Sequence, residues 1–158
     1  MSRGRAMVVE DRHQFAEAVA GVLRTLGYSV AQADICDTAI GAWARWGDAG
    51  PPSLVVTDIY LAGPDDLDGL DVLRMVAEHR DGVPVVVMSG QERDPSLGDL
   101  VRLRGGAYLD KPFTRDALRL AISEAGRLAR SRMPQPLDTI TTTIRRLSAV
   151  GGRPVADI

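Results

Sequence analysis

Apolar and polar positions along the chain follow two alternating patterns. Short apolar, β-branched runs recur: residues 5–9 around Met7-Val8-Val9, then Leu54-Val55-Val56-Thr57, residues 83–88 around Val85-Val86-Val87-Met88, and Ala107-Tyr108-Leu109. Each is too short and too β-branched for a helix, so each reads as a buried strand. Residues 28–33 alternate and read as one more strand, second in chain order. Between the runs lie helical stripes. The first carries Phe15, Ala18, Val19, Val22 and Leu26, is stopped by Gly27, and starts near Asp11, which stands three residues before Gln14 in capping-box fashion. A second covers residues 36–46, with Ala39, Trp43 and Trp46 on one face and Cys36 within it. Further stripes are Leu70, Leu73, Val76 and Ala77, then Leu97, Leu100 and Val101 over residues 95–104. The last begins at a Thr114 cap and carries Ala117, Leu118, Ala121, Ile122, Ala125 and Leu128. Strand followed by helix, five times over, predicts an α/β protein: a doubly wound, five-stranded parallel sheet with helices on both faces.

The strand ends carry the chemistry. The first run stops at Glu10-Asp11, the third at Asp58, the fourth at Ser89-Gly90 and the fifth at Asp110-Lys111-Pro112. In a parallel sheet these C-terminal ends share one edge. For the strand order 2-1-3-4-5 the reversal falls between the strands ending in Glu10-Asp11 and Asp58, where open α/β sheets hold their ligands. Carboxylates ~5 Å apart at an effective dielectric of ~20 repel by about 3 kcal/mol per pair. Three ionised together therefore need protonation, a cation, or an ammonium together with a metal. A hard dication suits oxygen ligands, and Mg²⁺ in particular binds through a few carboxylates plus a phosphate. Two histidines and one cysteine, without ligand spacing, give no soft-metal site.

Composition narrows the classes. The 158 residues suffice for one domain with a core, taken as residues 5–130, and a net charge of −2 does not favour general nucleic-acid binding. The lone Cys36 forms no internal disulfide and suits a reducing compartment. No signal-like or membrane-length apolar run occurs, so a cytoplasmic location is expected. Of the 19 basic residues, Lys111 is the only lysine. Either chance or a pocket with room for a compact ammonium would account for it.

Taken in order, Glu10-Asp11, Asp58, Ser89, Tyr108 and Lys111-Pro112-Phe113 resemble the signature of response-regulator receiver domains over residues 5–130. The resemblance implies that Asp58 is the phosphoacceptor and that Asp11 and Glu10, with Asp58 and the Tyr60 carbonyl, bind Mg²⁺. It implies that Ser89 and Lys111 contact the phosphoryl oxygens, that Ser89 and Tyr108 form the switch, and that Lys111-Pro112 is cis. The implied function is that of a two-component phosphorelay receiver, charged by a histidine kinase or histidine phosphotransfer protein and read by a downstream protein target. It would not be a turnover enzyme. The sequence departs from the family in a longer loop between Asp58 and Asp68-Gly69, and in lacking a proline four positions after Asp58. Two alternatives remain at this point. One is a receiver-like interaction module silent to phosphorylation. The other is an enzyme on the same fold, a flavin carrier or aspartyl-phosphate phosphatase; acids after the first strand disfavour a flavin phosphate, and Asp58 lacks a paired second acid.

Residues 131–158 read as a tail. Met133-Pro134-Gln135-Pro136 interrupts the last helix, and Leu137, Ile140, Ile144 and Leu147 form a narrow apolar seam. The tail is either disordered or docks near Leu97, Leu100 and Tyr108 on its own domain or on a second copy, as a homodimer. It is too short for a DNA-binding output domain, so a stand-alone receiver without direct nucleic-acid contact is expected.

Overall fold

Strand register positions everything that follows. In a computed structural model, residues 2–61, 67–79, 82–90 and 95–132 are described. Strands β1 (Ala6–Val9), β2 (Ile35–Cys36), β3 (Leu54–Asp58), β4 (Val85–Ser89) and β5 (Ala107–Asp110) form one parallel sheet in the order β2-β1-β3-β4-β5. Helices α1 (His13–Thr25), α2 (Ala39–Ala49), α3 (Gly69–Glu78), α4 (Pro95–Leu103) and α5 (Arg115–Arg132) complete the expected doubly wound fold.

Alternation along the strands divides the core in two. Ala6, Val8, Leu54, Val56, Val86 and Met88 face α1 and α5, where Ala16, Val19, Leu23, Leu118 and Ile122 cover them. Met7, Val9, Val55, Val85 and Val87 face α2, α3 and α4, under Trp46, Val72, Leu73, Val76 and Val101. β1, β3 and β4 are buried throughout, which is why they read as continuous apolar runs rather than alternating ones.

Several local expectations are corrected. The second strand is not residues 28–33: that segment meets the sheet through one bridge, Arg5 to Ser29, and a 3₁₀ turn, Gln32–Asp34, then intervenes. The turn buries Asp34 between two guanidinium groups, Arg5 Nε at 3.2 Å and Arg45 Nε at 2.8 Å. A buried carboxylate so paired fixes the turn, and pairing with Val8 and Val9 begins only at Ile35 and Cys36. Cys36 thus lies in β2, not in a helix. α2 starts after Thr38, whose hydroxyl accepts from the Gly41 N–H at 2.9 Å. On α2 the buried positions are Ala39, Ala42 and Trp46; Trp43 turns outward and stacks on Trp46 and against the edge of His79. On α1 the buried stripe is Ala16, Val19, Ala20 and Leu23, with Ala18 exposed. Asp11 does not cap α1: the N-cap is Arg12, without a side-chain cap. The Thr114 cap is present, its hydroxyl accepting from the Ala117 N–H at 3.0 Å. The tail seam, residues 137–147, lies outside the described residues.

Candidate functional site

The strand register delivers four chemical groups to one edge. Val9 and Thr57 are paired neighbours, so Glu10-Asp11 and Asp58 emerge side by side at the ends of β1 and β3. Asp58 pairs with Met88, and Ser89 with Asp110, which sets Ser89 and Lys111 next along the edge. Carboxylate oxygens of Glu10, Asp11 and Asp58 all lie within 4.8 Å of one another. The Lys111 ammonium answers them, 3.2 Å from Glu10 Oε2 and 3.2 Å from Asp58 Oδ2.

One ammonium does not neutralise three acids. Burial first, then the hydrogen bond and charge of the adjacent Asp58 carboxylate, push the Glu10 carboxyl up to about 7 against the opposing pull of Lys111. Glu10 therefore sits where proton and cation compete for it near neutrality. Asp58 is buried at 5 % exposure at the floor of an open cleft of about 280 Å³, lined by Asp11, Arg12, Asp58, Tyr60, Leu61, Gly90 and Lys111. Ser89 Oγ is buried and has no hydrogen-bond partner among the described residues. A buried hydroxyl left unpaired costs on the order of 1–3 kcal/mol, an outlay that fits a group held ready for an arriving acceptor. Together, three converging carboxylates and an unpartnered hydroxyl suit a hard, oxygen-loving dication and a phosphoryl group better than a soft metal.

A response-regulator receiver-domain family model matches residues 6–123. The chain belongs to that family. Among curated relatives of this receiver, the nitrogen assimilation regulatory protein NtrX of Azorhizobium caulinodans is 34% identical over 114 residues, covering 71% of this chain and 24% of that protein. The probable transcriptional regulatory protein TcrX of Mycobacterium tuberculosis is 31% identical, covering 68% of this chain and 43% of that protein. The solved receiver domain of NtrX from Brucella abortus superposes with a TM-score of 0.66 at 31% identity, covering 77% of this chain and 98% of that one. A receiver domain from Clostridium thermocellum, 21% identical with a TM-score of 0.68, shares the fold. The receiver spans about a quarter of the NtrX protein from Azorhizobium that it matches. Both named curated regulators are longer than the match, and the expectation of a stand-alone receiver gains nothing from them.

Within the receiver, Glu10, Asp11, Asp58, Ser89 and Lys111 converge as read from the strand ends, and the Lys111-Pro112 peptide is cis. Tyr108 stands apart from the cleft, half-buried on β5 beside Gly98 of α4. Three contributors escaped the sequence reading. Phe15, taken for core, offers its ring face to the Lys111 ammonium at 4.1 Å from the ring centre. Gly90 lets the lysine stem pass: a Cβ there would stand 3.2 Å from Lys111 Cδ. Arg12 lines the cleft. Each follows a recognised motif residue by one position or by one helical turn, and that adjacency was the available signal.

Proposed function

We propose that this chain is a phosphorylation-activated receiver that accepts a phosphoryl group on Asp58 from a histidine kinase or histidine phosphotransfer protein in a Mg²⁺-dependent reaction. The observation that carries the reading is the position of Lys111 Nζ, 3.2 Å from both Glu10 and Asp58. In this mechanism an Asp58 carboxylate oxygen forms the new P–O bond as the P–N bond to the donor's imidazole breaks, the electron pair leaving on nitrogen. Phosphoryl transfer needs mostly positioning and charge stabilisation. Lys111 supplies a cation to the phosphoryl oxygens, and Ser89 donates a hydrogen bond to one of them. Glu10, Asp11, Asp58 and the Tyr60 carbonyl would hold Mg²⁺, which supplies Lewis-acid charge stabilisation when bound.

The phosphorylated carboxylate adds about −1.5 to −2 charges to an already acidic edge. Ser89 and Tyr108 carry that change to the surface around α4, where a downstream protein target reads it. The chain acts once per phosphoryl group and is not a turnover enzyme. A cytoplasmic location accords with a receiver among whose described residues no helix is long and apolar enough to cross a membrane. A module silent to phosphorylation has no use for a buried, unpartnered hydroxyl at a strand end and an ammonium set against the acids on the cleft floor. The test is Asp58→Asn, which keeps shape and removes the nucleophile. Wild type with acetyl phosphate and Mg²⁺ gains a single acid-stable-in-the-cold, base-labile phosphate by mass spectrometry, and the variant gains none. An equally phosphorylated variant overturns the assignment.

A further inference from the structure

The mouth of the acidic cleft carries a cation that the chemistry above leaves unused. Arg12 follows Asp11 directly and forms the N-cap of α1, and the residue lines the cleft with Asp58, Tyr60, Gly90 and Lys111. Its backbone N–H donates to Glu10 Oε1 at 3.3 Å, which fixes the root of the side chain against the acids. The residue itself is exposed, whereas Asp58 on the floor is buried, so Arg12 belongs to the rim of the cleft.

Charge gives this position its meaning. On the floor, Glu10, Asp11 and Asp58 face one ammonium, and that ammonium is shared between Glu10 and Asp58. A phosphoryl donor that bears two negative charges meets repulsion from these acids alone, and little net attraction once Mg²⁺ offsets them. A guanidinium at the entrance reduces that barrier, and its planar fork matches two phosphoryl oxygens at once. The gain grows with the donor's charge and shrinks as salt screens it.

We propose that Arg12 is a donor-selecting residue that favours dianionic phosphoryl donors at the cleft entrance. The inference rests on Asp58 being the acceptor, as proposed above. Because the Arg12 side chain is exposed, its replacement leaves the core and the three converging carboxylates in place.

The experiment uses the full chain with Mg²⁺ and compares wild type, Arg12→Gln and Arg12→Lys. Acetyl phosphate, a dianion at neutral pH, is set against phosphoramidate, whose net charge is a single negative one, each at low and high salt. Phosphorylation of Asp58 is followed by mass spectrometry. Arg12→Gln is expected to slow the reaction with acetyl phosphate about three- to fivefold at low salt, the range open to an exposed charge pair. The deficit narrows at high salt, phosphoramidate is slowed by less than about twofold, and Arg12→Lys recovers part of the rate. An unchanged rate in Arg12→Gln overturns the inference, as does an equal slowing with both donors at every salt concentration; both leave the acceptor assignment standing. Wild type that neither donor phosphorylates overturns the acceptor assignment, and the role of Arg12 with it.

Discussion

The Lys111 ammonium reaches Asp58 across the end of an intervening strand. Lys111 follows β5 and Asp58 closes β3, and β4 lies between them; the 3.2 Å contact is made because the lysine stem passes over Gly90, just beyond β4. Its far end meets the Phe15 ring from α1. The ammonium thus touches groups that follow β1, close β3 and stand on α1, and its one open side faces the cleft.

That enclosure separates lysine from arginine. A guanidinium at position 111 is broader than an ammonium and has to displace either the Phe15 ring or the carboxylate contacts. Lys111→Arg should therefore slow phosphorylation nearly as much as Lys111→Ala, by at least about tenfold, the loss expected for one charge-assisted hydrogen bond. Rates with acetyl phosphate and Mg²⁺ check this; full activity in the arginine variant would mean that the lone lysine is an accident of composition.

Ser89→Ala should split stability from function. Ser89 is 1 % exposed and its hydroxyl has no partner among the described residues, so its removal takes away a desolvation penalty and no bond seen there. Chemical denaturation of the unphosphorylated variant is expected to show stability equal to wild type or higher by up to about 1 kcal/mol. Phosphorylation should nevertheless slow, because a donor to the phosphoryl oxygens is gone. Clear destabilisation would show that the hydroxyl is already engaged in the resting protein.

Tyr60 lines the cleft two residues after Asp58 and is 49 % exposed. Half-exposed, its ring can lean over the acyl phosphate and hinder an attacking water. Tyr60→Gly should shorten the phosphorylated lifetime about threefold or more, measured by loss of the phosphate after the donor is removed. An unchanged lifetime would leave Tyr60 as a solvent-facing side chain.

What the sequence made legible follows from which interactions are local. β1, β3 and β4 are buried on both sides, so their apolar runs stand out, and the carboxylates at the ends of β1 and β3 are neighbours on one edge, as the strand ends predict. β2 was misplaced because nothing in residues 28–36 announces that Asp34 will be held by Arg5 and Arg45, from β1's approach and from α2. Apolar alternation at Tyr28, Ser29 and Val30 was real, with both outer residues buried, yet it yielded one bridge and no strand. The α1 stripe was shifted by a small rotation because alanines at 16, 18 and 20 look alike in composition and differ only in what they face. Phe15 could not be read as a partner of Lys111 because the pair is 96 residues apart by their numbers and meets only through the sheet.

The close approach at Gly69 has a consequence for the loop that departs from the family in length. A Cβ at Gly69 would stand 2.2 Å from the Asp58 carbonyl oxygen, and the Gly69 N–H donates to the Ile59 carbonyl at 2.9 Å. The start of α3 is therefore riveted to the backbone of the acceptor strand, independently of whatever chain joins the two. Asp68 caps α3 itself, its carboxylate accepting from the Leu70 and Asp71 N–H groups at 2.9 and 3.2 Å. Loop closure costs only about 0.6 kcal/mol for each doubling of length, so such a joint tolerates insertion. The connection can change length without moving the nucleophile, and an engineer can use it as a port: a peptide tag spliced between Leu61 and Leu67 should leave the acceptor where β3 puts it.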